Sequence, residues 1–290
     1  MTTQRSDFRL IHRLRVRWAE VDMQKIVFNG HYLMYLDTAI SDYWRAMAFP
    51  YEAGMQALGG DLYVKKASLE YHGSARYDDL LDVGLRCQRI GNSSITFTGA
   101  IFVADSLLIT AELIYVFADP TTQTSKPVPE TLRQTLEAFE AGKSMTHLQL
   151  GDWDTLRDSA SQVREAVFVQ EQGIDAEIVW DELDQTAMHA VIFNGMQVAV
   201  ASGRLLQSKP HKGRIGRMAT HRGVRGGKLG RDVLVALVDA SRARGDHEVT
   251  LHAQCSAKDF YIKNGFVARG DTFVEAGIPH IAMVKTLKPE

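Results

Sequence analysis

Hydrophobic and polar residues change their spacing along this chain, and the first half has one long helical stretch followed by strands. Apolar residues recur at helical spacing from about Gly30 to Met47, and Asn29 is a suitable N-cap for that helix. An alternating run before the helix, His12–Trp18, predicts a half-buried strand. Four strand-like runs follow the helix: Val64–Tyr71, Leu81–Ile90, Ser93–Val103 and Leu107–Ala118. This order predicts an antiparallel sheet wrapped on one helix.

The second half has shorter segments in which strands and helices are mixed. A strand at Leu148–Asp154 precedes an amphipathic helix at Asp154–Phe168. A hairpin turn at Asn194-Gly195 joins two further apolar runs. The later predicted elements are the strand Ile215–Ala219, the helix Arg231–Arg244, the strand Glu248–Ala253, the helix Ala257–Asn264 and a last strand, His280–Val284. This order predicts a mixed sheet flanked by helices, so both halves belong to the α+β class.

A polar segment separates the two patterns. Glu130–Ala141 has the spacing of a short polar helix, and Gly142-Lys143-Ser144 is a suitable linker after it. The chain has 290 residues, which is long for one domain and comfortable for two. The predicted domains are therefore residues 1–142 and residues 143–290.

Composition narrows the classes of function. The chain is 45% hydrophobic and 23% charged with a net charge of −2, which indicates a globular protein without a global attraction to nucleic acid. The two cysteines exclude a disulfide framework and a cysteine-based zinc site, so we expect no metal and a reducing, cytoplasmic location. No signal peptide is expected at Met1–Asp7, and no apolar run has the length of about 20 residues that a membrane span needs.

The segment Ile215–Arg231 carries the strongest local signal for a bound anion. It leads from a strand through a glycine- and arginine-rich turn into a helix, and glycines allow backbone N–H groups to point inward. Nine lysines or arginines and no acidic residue lie between Gln185 and Arg231. Inward N–H groups and the positive end of a helix dipole form an anion site, so we interpret this turn as a diphosphate cradle. A glycine-rich surface loop with solvated charges is the simpler alternative.

The sequence of the turn separates several diphosphate ligands. Neither a Walker A loop, which needs Ser or Thr after Lys228, nor a dinucleotide GxGxxG fingerprint is present. The residues Arg225-Gly226-Gly227-Lys228-Leu229-Gly230 resemble the (Arg/Gln)-x-x-Gly-x-Gly turn of GNAT acetyltransferases, which holds the pyrophosphate of acetyl-CoA. Lys228 stands where that family usually has glycine.

The first half carries a second resemblance. Val16–Asp22 (VRWAEVD), Ile26–Tyr32 (IVFNGHY) and Glu70–Asp79 (EYHGSARYDD) resemble the signatures of hot-dog acyl-CoA thioesterases of the 4-hydroxybenzoyl-CoA type. In this family the acidic residue at Asp22 is the nucleophile or general base. Backbone N–H groups at the start of the central helix, here Asn29, Gly30, His31 and Tyr32, polarise the thioester carbonyl. Lys25 stands where a glycine is common.

The same resemblance implies an assembly. Hot-dog domains pair, with the thioester pocket between two copies, so we expect at least a homodimer through the first domain. Asp22 as a turn or capping carboxylate is the simpler alternative. His31 is expected to be a residue of the helix surface rather than a dehydratase base.

The second half is similar to the ElaA-like branch of GNAT acetyltransferases. The matching segments are Arg164–Ile174, Ile215-Gly216-Arg217, Asp259-Phe260-Tyr261 with Gly265-Phe266, and Glu275–His280. The resemblance implies that the backbone of Met218, Ala219 and Thr220 binds the pantetheine arm. It further implies that Arg225, Gly226, Gly227, Lys228, Leu229, Gly230 and Arg231 hold the pyrophosphate, and that Tyr261 protonates the departing thiolate.

Several roles in the second half stay open. Tyr261 is equally well explained as a core or rim aromatic residue, since tyrosine often buries its ring and keeps its hydroxyl wet. Glu171 and His252 are candidates for the general base that accepts a proton from the amine. Asp181, Glu182 and Asp184 are expected to form a solvated turn rather than a metal or cation site.

The two resemblances together predict an enzyme that uses acyl-CoA and an amine as small-molecule substrates. The first hypothesis is a bifunctional enzyme with thioester hydrolysis in the first domain and acyl or acetyl transfer to an amine in the second. The second is a sensor or scaffold, in which one domain binds acyl-CoA without turnover and regulates the other. An N-acyltransferase for longer acyl chains and RNA binding through Arg204–Arg231 are further alternatives, but no aromatic residues interleave those charges.

Overall fold

The computed structural model describes residues 3–287 and divides the chain into two compact units, one ending at Met145 and the other starting at Thr146. Residues 1 and 2, which belong to the segment examined for a signal peptide, and residues 288–290 lie outside the described part. That residues 1–142 and residues 143–290 fold as independent domains stays a prediction. Within residues 3–287, no helix is long and apolar enough to cross a membrane.

The first unit is a five-stranded antiparallel sheet on a long helix. The strands lie in the order β1-β3-β4-β5-β2, with β1 and β2 at the two edges. Its elements are β1 (Leu10–Arg15), α1 (Asn29–Ala46), α2 (Tyr51–Ala57), β2 (Asp61–Tyr71), β3 (Leu80–Ile90), β4 (Ser94–Val103), β5 (Ser106–Ala118) and α3 (Glu130–Glu140). The predicted sheet wrapped on one helix is confirmed.

Helix α1 forms the centre of this unit because its apolar residues recur every three or four positions. The buried ones are Tyr32, Tyr35, Leu36, Ala39, Ile40, Tyr43 and Trp44. Gly99 of β4 lies so close to the helix that a Cβ atom there would stand 2.6 Å from Leu36 Cδ2. This contact requires a glycine, and it lets the sheet approach α1 closely.

Two local features differ from the sequence pattern. Strand β1 ends at Arg15, whereas the alternation predicted a strand to Trp18; Trp18–Glu20 instead form a 3-10 turn whose N-cap, Arg17, donates its backbone N–H to Glu20. Helix α2 was not predicted. It has only seven residues with a glycine among them and buries Met55, so it offers little helical periodicity to read.

The second unit is a seven-stranded mixed sheet with helices packed on it. The strands lie in the order β11-β12-β10-β9-β8-β7-β6, and among residues 146–287 the pair β9–β10 is the parallel one. Its elements are β6 (Thr146–Gly151), α4 (Trp153–Arg164), α5 (Ala176–Val179), β7 (Met188–Asn194), β8 (Ala199–Lys209), β9 (Lys212–Thr220), α6 (Leu229–Ala243), β10 (Glu248–Gln254), α7 (Lys258–Lys263), β11 (Val267–Glu275) and β12 (Ile278–Thr286). The predicted α+β class is confirmed for both units.

Helix α4 carries the buried face that joins it to this sheet. Trp153, Leu156, Ala160 and Val163 pack with strand residues that include Val191 and Ala219. The predicted helix from Asp154 to Phe168 is correct in type. However, the regular α-helix ends at Arg164, and the chain continues as a π-helical turn over Glu165–Glu171. Such turns are often found at functional sites.

Candidate functional site

One buried carboxylate, Glu20, holds the loop between β1 and α1. Its side chain is 3% exposed and accepts hydrogen bonds from the Arg17 backbone N–H and Nε, each at 2.7 Å, and from the Tyr35 hydroxyl at 2.8 Å. Burial opposes ionisation, but the hydrogen bonds from Arg17 and Tyr35 outweigh it and keep the pKa of Glu20 below its usual value. The Glu20 carbonyl also accepts the Phe28 N–H at 2.9 Å, which brings the loop back to the start of α1.

Asp22 lies in a tight turn within this loop. Its Oδ1 accepts the Gln24 N–H at 2.8 Å, and its backbone bonds to both Ile26 and Lys25 at 2.9 Å. Lys25 has φ of 63°, a left-handed conformation that favours glycine, which gives a physical reason for the glycine expected there. The turn therefore uses one oxygen of Asp22, as the simpler interpretation predicted. The half-buried carboxylate keeps acceptor capacity for other partners.

The start of α1 differs by one position from the prediction. The helix begins at Asn29 itself and Phe28 takes the N-cap position, so Asn29 is not the N-cap; among the described residues no side chain caps this end. The N–H groups of Asn29 and Gly30 belong to the first turn, which has no intrahelical acceptors for them. They form a donor pair at the positive end of a helix of 18 residues.

His31 and Tyr32 are more buried than Asn29 and Gly30. Tyr32 is 2% exposed and its hydroxyl accepts the Ala75 N–H at 2.9 Å, so its side chain belongs to the core. Burial raises the pKa of Tyr32. The Asp22 N–H donates to the Ile26 carbonyl and the Phe28 N–H donates to the Glu20 carbonyl, so the turn that holds Asp22 folds back toward the start of α1. His31 is half-buried rather than a plain surface residue. Its Nδ1 is buried without a hydrogen-bond partner in residues 3–287.

In the second unit, two neighbouring strands separate and open a cleft. Strands β9 and β10 pair in parallel only at Lys212–Arg214 and Glu248–Thr250. Beyond that point β9 continues along β8, while β10 continues along β12. The side of Ile215–Thr220 that faces β10 therefore has no strand partner in the described part of the chain. Apart from the Thr220 carbonyl, which accepts a bond from Arg225 Nε, the N–H and C=O groups on this side are available to an extended ligand that bears amides.

The cleft at this opening has a volume of about 280 Å³. Met218 and Tyr261, which were both predicted, line it together with His252, Glu275 and Arg217. Ala219 does not: it is 5% exposed and packs in the core against α4, so it offers only its backbone. Thr220 ends the strand and is half-buried.

The predicted phosphate turn connects β9 to α6. Gly226 has φ of +88°, and Lys228 has φ of 66° and takes the N-cap position of α6. The glycine usual at Lys228 in the GNAT turn is thus explained by backbone conformation. Leu229 is buried, whereas Arg222, Lys228 and Arg231 are exposed and have no ion-pair partner in residues 3–287. The N–H groups of Leu229 and Gly230 are free of intrahelical acceptors.

Arg225 departs from its predicted role. Its Nη1 and Nη2 donate to the two carboxylate oxygens of Glu171 at 2.7 and 2.6 Å, and its Nε donates to the Thr220 carbonyl at 3.0 Å. The planar fork of this arginine is therefore occupied within the protein. Hydrogen bonds from Arg225 also lower the pKa of Glu171, which makes Glu171 a poor general base. This pair joins residues 54 positions apart, so no local pattern could predict it.

Tyr261 lies where α7 meets the cleft. It is 8% exposed, and its ring packs edge-on against Phe260 and Phe266 at 4.9 and 5.9 Å. Tyr261 therefore packs against aromatic residues and also lines the cleft, and its role in protonating the thiolate stays a prediction. Burial raises the pKa of Tyr261 to about 12, so the hydroxyl is protonated at neutral pH and can donate a hydrogen bond.

His252 takes part in a side-chain cluster in the cleft. Its Nδ1 lies 2.7 Å from Glu275 Oε2 and 3.3 Å from Arg214 Nη2. Burial opposes ionisation of Glu275, but the bond to His252 lowers the Glu275 pKa, so the carboxylate is charged. A charged oxygen at 2.7 Å requires a proton on Nδ1, which leaves Nε2 as the basic nitrogen of the neutral ring. The sequence placed Glu275 in the family segment Glu275–His280 without a role, and its bond to His252, 23 residues away on another strand, was not predicted.

The acidic cluster of the second unit is not the solvated turn that was predicted. Asp184 is 1% exposed and binds Arg164 and Arg204 at 2.9 and 2.7 Å. Asp181 binds both nitrogens of the Arg204 fork at 2.6 and 2.7 Å. Asp181 and Asp184 thus belong to an arginine–aspartate network in which Asp184 is buried, while Asp181 and Glu182 are exposed. Within residues 3–287, no group of three or more His, Cys, Asp or Glu residues is suitably placed for a metal ion.

Both units match known protein families. Residues 24–110 match the thioesterase superfamily, and residues 156–287 match the acetyltransferase (GNAT) domain family. An "Uncharacterized N-acetyltransferase YjcF" of Bacillus subtilis is 36% identical over 133 residues, which are 46% of this chain and 93% of that protein. A "Putative esterase" of Aquifex aeolicus is 32% identical over 95 residues, 33% of this chain and 73% of that protein.

A third relative also matches the first unit. "Acyl-CoA thioester hydrolase YbgC" of Escherichia coli is 26% identical to this chain over 120 residues, which are 41% of this chain and 89% of that protein.

Proposed function

The chain belongs to the thioesterase superfamily in its N-terminal half and to the GNAT acetyltransferase family in its C-terminal half, and we propose from this that one protein performs two reactions of acyl-CoA. The predicted fusion is confirmed at the level of families. Thioester hydrolysis and acyl transfer are the reaction types of these families. That both halves turn over acyl-CoA, and which acyl groups and amines they use, is our proposal.

The separation of β9 and β10 carries the proposal for the transfer reaction. A pantetheine arm has amide groups that pair with the free edge of Met218–Thr220, and the thioester then enters the cleft lined by His252 and Tyr261. The diphosphate lies at the turn, where the first N–H groups of α6 and the exposed Lys228 and Arg231 attract it.

The transfer chemistry follows from two side chains of the cleft. His252 Nε2 accepts a proton from the amine while the amine nitrogen attacks the thioester carbon, and Glu275 holds the ring through Nδ1. The C–S bond breaks, and the thiolate accepts a hydrogen bond and then a proton from the Tyr261 hydroxyl. Arg225 contributes to this site through Glu171 rather than by binding diphosphate directly in the unbound protein.

Hydrolysis belongs to the first unit. The N–H groups of Asn29 and Gly30 face the thioester carbonyl oxygen and stabilise the negative charge that develops on it. In one route the Asp22 carboxylate attacks the carbonyl carbon, the C–S bond breaks with release of CoA thiolate, and water then hydrolyses the mixed anhydride and regenerates Asp22. In the other route Asp22 removes a proton from a water that attacks the carbonyl carbon, and the C–S bond breaks with release of CoA thiolate. The name of the Escherichia coli relative supports acyl-CoA as the substrate class.

A dimer of the first unit completes the proposal. Strand β2 is an edge strand, and large apolar side chains on it and at the start of α1 are exposed. They are Phe28, Leu33, Met34, Tyr63, Val64 and Tyr71. Exposed apolar residues beside an open edge favour association with a second copy of this unit, as the resemblance to hot-dog enzymes implies.

One set of assays tests the proposal against a sensor or scaffold. Free thiol is measured with acetyl-, octanoyl- and benzoyl-CoA, each with and without a panel of amines, for the wild type, Asp22→Asn and Tyr261→Phe. We expect Asp22→Asn to lose the thiol release that needs no amine, and Tyr261→Phe to lose the release that depends on an amine. A domain that binds acyl-CoA without releasing thiol under any condition would be a sensor, and the claim of two activities would fail.

A further inference from the structure

The arginine–aspartate network of the second unit has more positive than negative charge. Arg164, Arg204 and Arg217 are joined to two carboxylates, Asp181 and Asp184. Burial lowers the pKa of His189, which contacts this network, so the ring is neutral and does not change the balance. Nearby, Arg214 and Glu275 offset each other. One positive charge of the network is left without a matching anion.

Arg217 is the member of the network on which this excess falls. Asp181 already receives two bonds from the Arg204 fork, at 2.6 and 2.7 Å, and binds Arg217 Nη2 as a third partner at 3.0 Å. The same nitrogen donates to the Ile178 carbonyl at 2.9 Å, and Nε is buried with no acceptor in residues 3–287. Arg164 and Arg204 also have a buried Nε without an acceptor in residues 3–287, but both are less than one-tenth exposed and bind carboxylates at shorter distances than Arg217 does.

The backbone also holds Arg217 in an unusual way. Strand β9 has a bulge here, since Ser202 pairs with Ala219 and Arg204 with Gly216, so that two residues of β9 lie opposite one of β8. Arg217 has φ of 52°, a left-handed conformation that costs free energy for any residue other than glycine. Bulges are common beside active sites, where they redirect a side chain.

Arg217 lines the same cleft as Tyr261 and His252, and apolar Ile174, Ile178 and Val179 form part of its wall. Apolar walls exclude water and strengthen the attraction between an arginine and an anion. The diphosphate of CoA is not that anion, because the turn and Lys228 lie beyond the opposite end of Met218–Thr220 in the chain.

We propose that the cleft binds a carboxylate of one of the transfer substrates against Arg217. The inference rests on the proposed acyl transfer and specifies its substrate class. A carboxylate forms the charge-assisted hydrogen bonds that the guanidinium lacks and balances the excess charge of the network. Two substrates can supply it: an amine acceptor that carries a carboxylate, such as an amino acid, or an acyl group that ends in a second carboxylate.

Two matched pairs of ligands distinguish these sources in the full-length protein by calorimetry. N-acetylglycine and N-ethylacetamide, titrated with CoA present, differ in a carboxylate that replaces a methyl group on the acceptor side. Succinyl-CoA and butanoyl-CoA differ in the same way on the acyl side. We expect about tenfold tighter binding of the carboxylate member in one pair, as for a charge-assisted contact, and equal binding within the other pair.

Two variants test whether Arg217 is responsible for the preference for a carboxylate. Arg217→Gln is expected to abolish the preference and to leave CoA binding within about twofold, since Lys228 and Arg231 hold the diphosphate. Arg242→Gln is the matched control: it removes the same charge from an exposed pair on α6 and should keep the preference. The wild-type comparison decides the question by itself if Arg217→Gln fails to fold.

The remaining outcomes separate the two levels of inference. Absence of a carboxylate preference in both pairs, with CoA still bound, overturns the role of Arg217 and leaves the proposed function intact. An equal loss of affinity for both members of a pair in Arg217→Gln would instead assign Arg217 to holding the thioester, and it also overturns the inference. Failure of the wild type to bind CoA or acetyl-CoA would contradict the proposed function itself.

Discussion

Each of the two candidate sites contains the start of a helix, and the charged residues around the two helix starts differ. The loop before α1 and the turn before α6 each contain a lysine in the left-handed conformation, Lys25 at φ 63° and Lys228 at φ 66°. The first turn of α1 contains no acidic residue and follows the apolar Phe28, and Asp22 lies in the turn that pairs back with Ile26 just before the helix. The first turn of α6 contains Asp232, but three exposed cations, Arg222, Lys228 and Arg231, lie in or just before it, so the local balance is positive.

This difference determines which ligand each helix can bind. A helix N-terminus carries about half a positive charge whatever surrounds it. Near α1 the carboxylate repels a permanent anion, so the site suits a neutral carbonyl on which charge develops only during reaction. Near α6 the cations add to the dipole, so this turn suits the proposed binding of a diphosphate before any reaction takes place. Neighbouring side chains, rather than the dipole, therefore separate hydrolysis from cofactor binding.

The largest effect is expected for the carboxylate near α1. Asp22→Asn keeps the Oδ1 acceptor of the Gln24 bond and removes the charge, so thioester hydrolysis should fall about a hundredfold or more while the fold survives. Thiol release without amine measures it. Asp105→Asn, at the exposed tip of the β4–β5 hairpin, is the matched control. Near wild-type hydrolysis by Asp22→Asn would leave Asp22 as a turn residue only.

The cations before α6 should have the next largest effect. Lys228→Gln with Arg231→Gln removes two charges from the diphosphate site, and CoA affinity should fall about tenfold or more, with a weaker dependence on salt. Calorimetry at two salt concentrations measures both quantities. Lys209→Gln with Arg242→Gln removes two charges elsewhere in the same unit and should leave affinity unchanged. If both double variants bind CoA equally, this turn is not the cradle.

The two units are also expected to differ in oligomeric state. Residues 1–142 expose an edge strand beside apolar side chains, so we expect this fragment to have at least twice its monomer mass and to retain hydrolysis. Residues 143–290 are expected to bind CoA and have no comparable requirement to pair. Light scattering of the two fragments measures the masses. A monomeric 1–142 fragment that hydrolyses acyl-CoA would contradict a pocket shared between two copies.

A smaller effect is expected for Glu20, which holds the loop between β1 and α1. Its pKa is lowered in the folded protein, so its contribution to stability is present above the unfolded value of about 4.3 and is lost as the pH falls through the folded value. Glu20→Gln should reduce the free energy of unfolding by about 1–3 kcal/mol at pH 7. The difference from wild type should narrow below about pH 4.

Urea unfolding at several pH values measures this contribution. Glu137→Gln changes an exposed carboxylate of α3 and should have almost no effect at any pH. A Glu20→Gln difference that stays constant down to acid pH would show that packing, rather than the charge of Glu20, provides the stability.

The smallest effects concern the two left-handed lysines. Lys25→Gly and Lys228→Gly should each increase the free energy of unfolding by up to about 1 kcal/mol, because relief of the left-handed strain exceeds the chain entropy that glycine adds. Lys25→Ala and Lys228→Ala keep a Cβ atom and should give no gain. Equal stabilisation by alanine would attribute the effect to the lysine side chains. Only the Lys228 variants should also weaken CoA binding.

Short-range regularities of the sequence determined much of this fold. The spacing of apolar residues in α1, the alternation in β4 and β5 and the glycines of the β9–α6 turn are properties of neighbours along the chain, and each specified its element. The two family resemblances added the topology. They also marked Lys25 and Lys228 as departures, and both are among the non-glycine residues with a left-handed backbone.

Only the tertiary structure decided which side chains remain available for chemistry. Arg225 was assigned to the diphosphate, but its guanidinium is bound by Glu171, 54 residues away. The Tyr32 hydroxyl bonds Ala75, 43 residues away, which fixes that side chain in the core. The pairing of Asp181 with Arg204 likewise spans 23 residues. Hydrogen bonds of this kind depend on distances of about 3 Å between atoms remote in sequence. Those distances exist only once the strands and helices have packed, so the local pattern of residues contains no record of them.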